Sequence, residues 1–425
     1  MPSSLEGVYE PGIVDPGVPR PNPTQSYWQT EPHPLAEHQS PWPTSAVDVV
    51  IIDSGVTRIN VAHNLVAKRP GFKVVVFDSR SICSGATDRN GGHIKTATFA
   101  VWEDRKRLYG IEEATHFTAF EHSHLGAMVS AISLDAYFDQ KAFEKACLVL
   151  DDMRAFTPQL AKRYHVYTDR DYLQSAPKLS HRCVGAIGSS AASIRPYKLV
   201  TGIMARLIEA RKVKVQTGTT VQSIDDDAGE EFALVHSSRG VIHARKILRP
   251  FISSVRDNVV HYGPIDGQQR GGNSSALGFE SRYSFWLRYA PKEHDYLIQR
   301  QKGDVVVDHV NCGRRTAGDD TKTDMLPQLI YPSLTAPAAV RHVWSGILGF
   351  TEDTSPIVGS LPLPGRSHQW VCGGFHALMI SYLLLGEGGP QGYPRSILLD
   401  EERLRRLRKS KDKHSCALVA KLYDE

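Results

Sequence analysis

The chain has 425 residues, 41% of them hydrophobic, which is enough for two domains sharing a large core. Its net charge of +4 is small for that length, and its basic residues are spread rather than striped, which argues against a dedicated nucleic-acid surface. No stretch has the apolar length of a membrane span, no basic-then-apolar leader opens the chain, and the terminal KLYDE is not a peroxisomal tripeptide, so a cytoplasmic protein is expected. The six cysteines, at 83, 147, 183, 312, 372 and 416, lack C-x-x-C or metal-ligand spacing and read as reduced thiols, with no metal site.

Residues 1–46 hold ten of the 25 prolines, with Tyr27, Trp28 and Trp42 among them. Proline's fixed φ and missing N–H exclude regular helix or sheet there. The segment is either a Pro-rich peptide for a partner domain or an arm lying over its own globule with its aromatics in surface slots. Val47–Ile52 is an apolar run of the kind that forms a buried parallel strand. Val56, Ile59, Ala62 and Leu65 follow at helical spacing, and a second apolar run, Val74–Phe77, ends in the acid Asp78. This is the βαβ pattern that holds an adenine dinucleotide, with the acid placed for a ribose hydroxyl. The three glycine positions of its G-x-G-x-x-G fingerprint hold Asp53, Gly55 and Arg58. Asp53 brings a carboxylate to a helix N-terminus meant for phosphate. Arg58 has to leave a tight helix–strand contact, and snorkelling into water is the expected way out. The alternative is a strand–helix–strand that binds nothing.

Residues 79–94 read SRSICSGATDRNGGHI. Together with the βαβ unit, this run resembles the D-amino-acid oxidase-like family of FAD-dependent oxidoreductases, and its fungal branch most. The resemblance implies that Ser84, Gly85, Ala86, Thr87, Arg89, Asn90, Gly91 and Gly92 wrap FAD, with Gly55, Val56, Thr57 and Asp78 completing the cradle; Asp88 stands where many relatives have glycine. Two later segments extend it. TEDTSPIVG at 351–359 is similar to a T-x-D-x-x-P-x-I-G element and implies cofactor contacts at Asp353 and Gly359. GGFHALMI at 373–380 is similar to a final glycine-rich turn and implies contacts at Gly374, Phe375 and His376, although Ala377, Leu378 and Met379 replace its Gly-His-Gly. A run similar to A-T-N-A-W is missing after the strand-like segment 240–248. Glycine at both 53 and 58 is therefore expected to strengthen FAD binding.

The remaining elements fill in a second domain. Residues 95–165 are helix-rich by pattern, while 213–237 and 240–248 alternate as strands, with Val221 in a stretch similar to the family's adenine-flanking strand. Residues 283–310 read as the sheet beneath a substrate, with Phe285, Trp286 and Tyr289 as core or pocket wall. Arg282 and Arg288 are either partners for a substrate carboxylate or surface arginines on an alternating strand. His93 and His376 either touch the flavin or are hydrogen-bonded structural histidines. Residues 401–413, EERLRRLRKSKDK, are expected to be a solvated helix face.

The expected fold is α/β: a Rossmann-like FAD-binding domain with a central parallel sheet, plus a mixed-sheet α+β substrate domain. Its boundaries are an arm at 1–46, an oxidoreductase domain at 47–400 and a basic tail at 401–425. FAD-binding parts fall at about 47–100, 180–250 and 340–390, and substrate parts at about 101–179 and 251–339. The implied activity is oxidation of a C–N bond in an amino acid, amine or amine-bearing secondary metabolite. Hydride would pass to FAD and oxygen would be the acceptor. The alternative is a flavin-free member with a binding or regulatory role, or no activity.

Overall fold

The computed structural model describes residues 23–96, 99–125, 131–226, 231–250, 255–263, 283–290, 293–300, 304–311, 340–348, 353, 355–374 and 376–409. In chain order the first half comprises β1 (Val47–Ile52), α1 (Val56–Lys68), β2 (Val74–Phe77), the single turn α2 (Ala86–Arg89), β3 (His93–Ile94) and α3 (Trp102–Leu125). Then come β4 (Ala131–Tyr137), α4 (Gln140–Phe156), α5 (Pro158–Ala161), β5 (His165–Tyr167), α6 (Arg170–Ser175), β6 (Gly185–Ser193) and α7 (Pro196–Glu209). The second half runs β7 (Val213–Gln216), β8 (Val221–Asp225), β9 (Ala233–Ser237), β10 (Gly240–Arg249), β11 (Val255–Tyr262), β12 (Tyr283–Ala290) and β13 (Glu293–Gln299). It closes with β14 (Val305–Asn311), β15 (Val340–Leu348), β16 (Val358–Ser360), β17 (Gln369–Cys372), α8 (Ala377–Leu384) and α9 (Glu401–Lys409).

The first sheet has the order β16-β17-β10-β1-β2-β7, with β9 and β8 added beside the first half of β10. From β17 to β7 every pairing is parallel. A parallel sheet needs cover on both faces, and β1 shows it: Val49, Val50 and Ile51 are all fully buried. On one face lie α1, α7 and α8, and Ile59, Ala62 and Leu65 form the inward stripe of α1. On the other face Val50, Val75 and Phe77 pack with β9, β10 and Trp42. Truncating one of these large side chains to alanine costs about 2–5 kcal/mol.

The second sheet is mixed, in the order β15-β11-β14-β13-β12-β4-β6-β3, with β5 on β6. Three expectations change here. β4 interrupts the segment expected to be helix-rich, and it runs parallel to β12. β6 and β15, from segments expected in the FAD-binding half, both pair within the second sheet. In the arm, Trp28 is only 6% exposed and joins the main core, so it is not in a surface slot. The tail helix is also docked: Arg403, 1% exposed, reaches both carboxylate oxygens of Asp353 at 2.8 and 3.1 Å. Its solvated face is therefore only part of α9. Among the described residues no helix is long and apolar enough to cross a membrane.

Candidate active site

At the carboxyl end of β1 the chain turns through Asp53 into α1. Asp53 has φ 83°, the left-handed region where glycine is at ease, so the turn keeps its glycine geometry without the glycine. Its carboxylate folds back over the helix. Oδ1 accepts the Gly55 N–H at 3.1 Å, and Thr87 Oγ1 accepts the next one, from Val56, at 2.9 Å. A Cβ placed on Gly55 would lie 2.9 Å from Thr87 Oγ1 and 3.2 Å from Asp53 Oδ2, so the space above this turn is already filled.

Arg58 corrects the sequence reading. It does not snorkel: it is 5% exposed and donates to the carbonyls of Cys372 (2.8 Å) and Arg249 (3.3 Å), the last residues of β17 and β10. Its Nε lies 4.0 Å from Asp53 Oδ2. The guanidinium caps two strand ends from within, so glycine at 58 would remove a tie rather than a clash. Asp78, expected at a ribose, is instead bonded by the chain. One oxygen takes the Ser54 N–H (3.2 Å) and hydroxyl, and the other takes the Arg80 N–H at 2.9 Å. Burial, then the charge of Asp53, pushes its carboxyl up to about 7. Val221 packs beside Trp42 on the outer face of the first sheet.

The wrap is braced by the arm. Trp28 Nε1 donates to Asn90 O at 2.8 Å, Ser26 Oγ to Asp88 at 3.0 Å, and the buried Arg89 reaches Thr24 and the Ser84 carbonyl. Asn90 spends its amide on Thr87 O and its oxygen on the Gly92 N–H. Arg89 and Asn90 thus hold the wrap's shape, while Ala86 begins its helical turn. Gly91 has a steric reason: a Cβ there would stand 2.7 Å from the His93 ring. Cys83 and Cys372 are buried, which pushes both thiols up, Cys372 to about 11, and neither is poised as a thiolate. Among the described residues no cysteine is paired.

The C-terminal turn lies beside the N-terminus of α1. Gly374 O accepts the Thr57 hydroxyl at 2.6 Å, tying the turn to α1. His376 caps α8 with its ring stacked on Phe120 of α3, 5.7 Å between centroids, and burial lowers its pKa to about 4. Asp353 is consumed by Arg403, and Gly359 faces the backbone of Leu399. Phe375, Thr351 and Arg282 lie outside the described residues.

A second cluster lies beneath the wrap, on the inner face of β12 and β13. Their outer face, with Phe285, Leu287 and Leu297, is apolar core. The inner face carries Ser284, Trp286 and Arg288, opposite Ile298, Tyr296 and His294. Lys95 reaches over it: Nζ is 4.6 Å from the Trp286 ring centre, 5.0 Å from that of Tyr296, and donates to Phe285 O at 3.3 Å. Arg288 donates twice to Asp135 Oδ2, at 3.0 and 2.9 Å, so its guanidinium is held by a neighbour rather than left on the surface. His93 Nδ1 meets Ser284 Oγ at 2.6 Å. Burial lowers both Lys95 and His93 well below their ordinary values. Both residues nonetheless keep some accessible surface. Lys95, Tyr296 and Asp135 were not singled out in the sequence. The legible signal was the period-two continuation of the wrap strand, which puts Lys95 on the face of His93.

Some of the buried polar atoms without partners among the described residues lie on this path: Ser84 Oγ on the wrap, His93 Nε2 at its end and Trp286 Nε1 on the floor. Gly85 leaves open space beside it, with only Asp53 in range of a built Cβ. This frame fits FAD along the wrap. At the N-terminus of α1 it fits only once the Asp53 carboxylate has left, and that side chain is 32% exposed and has room to do so.

No curated protein matches the chain. Among solved structures, glycine oxidase from Geobacillus kaustophilus superposes with a TM-score of 0.60 at 14% identity, over 84% of this chain and 99% of that one. L-proline dehydrogenase from P. horikoshii gives 0.59 at 16%, over 85% and 98%. L-alpha-glycerophosphate oxidase from Mycoplasma pneumoniae, with FAD bound, gives 0.57 at 12%, over 84% and 100%. Likeness at this identity speaks for the fold, the mixed α/β architecture found above. The FAD dependent oxidoreductase family matches residues 48–386, from the first strand to the end of the last site helix, and the chain belongs to that family.

Proposed function

We propose that this family member oxidises the C–N bond of a small amine or amino acid, amine-bearing secondary metabolites included, with FAD as hydride acceptor and oxygen as final oxidant. The observation that carries the reading is the floor, a face on which Lys95, Trp286, Tyr296 and His93 converge next to the wrap. Two structural neighbours are named for amino acids, glycine and L-proline, which supports the same class.

Gly55, Val56, Ser84, Thr87 and Gly91 are the residues that would hold the cofactor. When bound, FAD supplies the two-electron acceptor, and the electrons pass on to oxygen, leaving an imine and peroxide. The chain binds and orients. The rings of Trp286 and Tyr296 wall the substrate, and Lys95 meets its anionic group; each favours the charged form of the other in a desolvated site. Arg288, fixed by Asp135, sets the position of the Trp286 ring, 4.4 Å from its guanidinium carbon. In the tautomer that donates Nδ1–H to Ser284, His93 Nε2 presents a lone pair. That atom accepts a hydrogen bond from the substrate amine, and its lowered pKa keeps the ring neutral to do so.

The test is a peroxide-release screen of the FAD-reconstituted protein over amino acids, secondary amines and polyketide-derived amines. Peroxide and bleaching of the flavin absorbance with one class are expected; a yellow protein inert to all of them would sink the C–N assignment. The Asp53 carboxylate over α1 favours a second reading, a flavin-free member that binds or regulates or has no activity. A folded protein that stays colourless throughout an FAD titration establishes that reading instead.

A further inference from the structure

We propose that Asp53 is an internal counter-ligand: its carboxylate occupies the helix N-terminus that the cofactor's diphosphate needs, and loading requires it to swing out. This rests on the FAD reading above. The backbone carries the first part of the argument. Asp53 holds a left-handed φ of 83°, so the phosphate turn has kept its shape while gaining a charge. The second part is occupancy. The first two donors of α1 are both taken, Gly55 N–H by Asp53 and Val56 N–H by Thr87, and the anion lies where the helix dipole favours one. A tethered carboxylate competes at high effective concentration, and a ligand's apparent affinity falls by the fraction of molecules that are open.

Arg58, whose Nε is 4.0 Å from Asp53, has a side chain only 6% exposed, against 32% for Asp53. Arg58 is also pinned by the Cys372 and Arg249 carbonyls. Asp53 has one backbone hydrogen bond to break and solvent to enter. Behind it lies the buried carboxyl of Asp78, whose charge repels it, so its way out is outward. Arg58 stays in place when Asp53 leaves.

The experiment titrates the full apo chain, Asp53→Gly and Asp53→Asn with FAD, read by flavin fluorescence quenching, and with ADP, read by titration calorimetry. Asp53→Gly is expected to bind both about tenfold more tightly than the unaltered chain, the scale of an anion removed from a helix N-terminus in a desolvated site. Asp53→Asn should fall between them, because it keeps the bulk and loses the charge. Both glycine and asparagine accept the left-handed turn, and thermal melting without ligand checks each fold. Equal tight binding of FAD by all three overturns the counter-ligand and leaves the FAD reading standing. No binding by any of the three overturns both. A gain with FAD and none with ADP also overturns the proposal, since the diphosphate is common to the two.

Discussion

At the N-terminus of α1 the chain satisfies its own donors, with Asp53 and Thr87 taking the first two helix N–H groups and Arg58 closing two strand ends. On the inner face of β12 and β13 it leaves Trp286 Nε1 and His93 Nε2 buried without partners among the described residues. Both regions are polar, and both lie inside the family's fold. An unmet buried polar group costs about 1–3 kcal/mol, a cost that a bound ligand or an ordered water recovers. At the phosphate turn only Arg58 Nε is left without a hydrogen bond, and the remaining polar contacts stabilise the fold without a cofactor. Polarity alone therefore does not mark a site; the bonds left unmade do.

Perturbing the self-satisfied side should show first in stability. Trp28→Ala removes a core ring and the donor to Asn90 O, and should cost about 3–5 kcal/mol. An urea midpoint unchanged from the parent would mean that the arm rests on the wrap without bracing it. Arg58→Ala strips the caps from the Cys372 and Arg249 carbonyls and should cost about 2–4 kcal/mol in the same measurement. A neutral result, or a rise in stability on going to glycine, would return Arg58 to the role of a tolerated intruder.

On the floor the effect should move from stability to turnover. Lys95→Met keeps the stem and loses the amine; about a hundredfold loss in kcat/KM is expected, with unfolding within about 1 kcal/mol of the parent and FAD content unchanged. A mutant that unfolds early but keeps kcat/KM would make Lys95 a packing residue and dissolve the comparison.

The smallest effect depends on pH. Burial raises the Asp88 carboxyl to about 7, above its unfolded value, so the folded state binds more protons between these two values. Stability from this group is therefore highest in acid and falls as pH rises towards 7. Asp88→Asn, which still accepts from Ser26, should be more stable than the parent by about 1–3 kcal/mol at pH 8 and equal to it near pH 4. Parallel melting curves across that range would show that Asp88 ionises freely.

Periodicity and the order of apolar runs were enough to read β1, α1, β2 and the sheet-forming residues 283–310, because alternation and helical spacing state which face of an element must be buried. The family resemblance rested on the wrap, which the structure does place at the carboxyl end of the first sheet's strands and against β6 and β15. What neither spacing nor resemblance contained was partner choice. Arg58 finds Cys372, 314 positions away, Arg403 finds Asp353, and Lys95 finds rings on β12 and β13. A basic side chain in a sequence reads as solvent-facing by default, since charge is costly to bury. Only the folded chain brings the carbonyls, carboxylates and rings that make burial affordable. By itself the sequence determined the α/β class, the phosphate turn's position and its altered residues; the tertiary structure decided which donors at the turn are bonded within the chain and that Trp286 Nε1 and His93 Nε2 on the floor are not, because hydrogen-bond satisfaction belongs to pairs of distant groups.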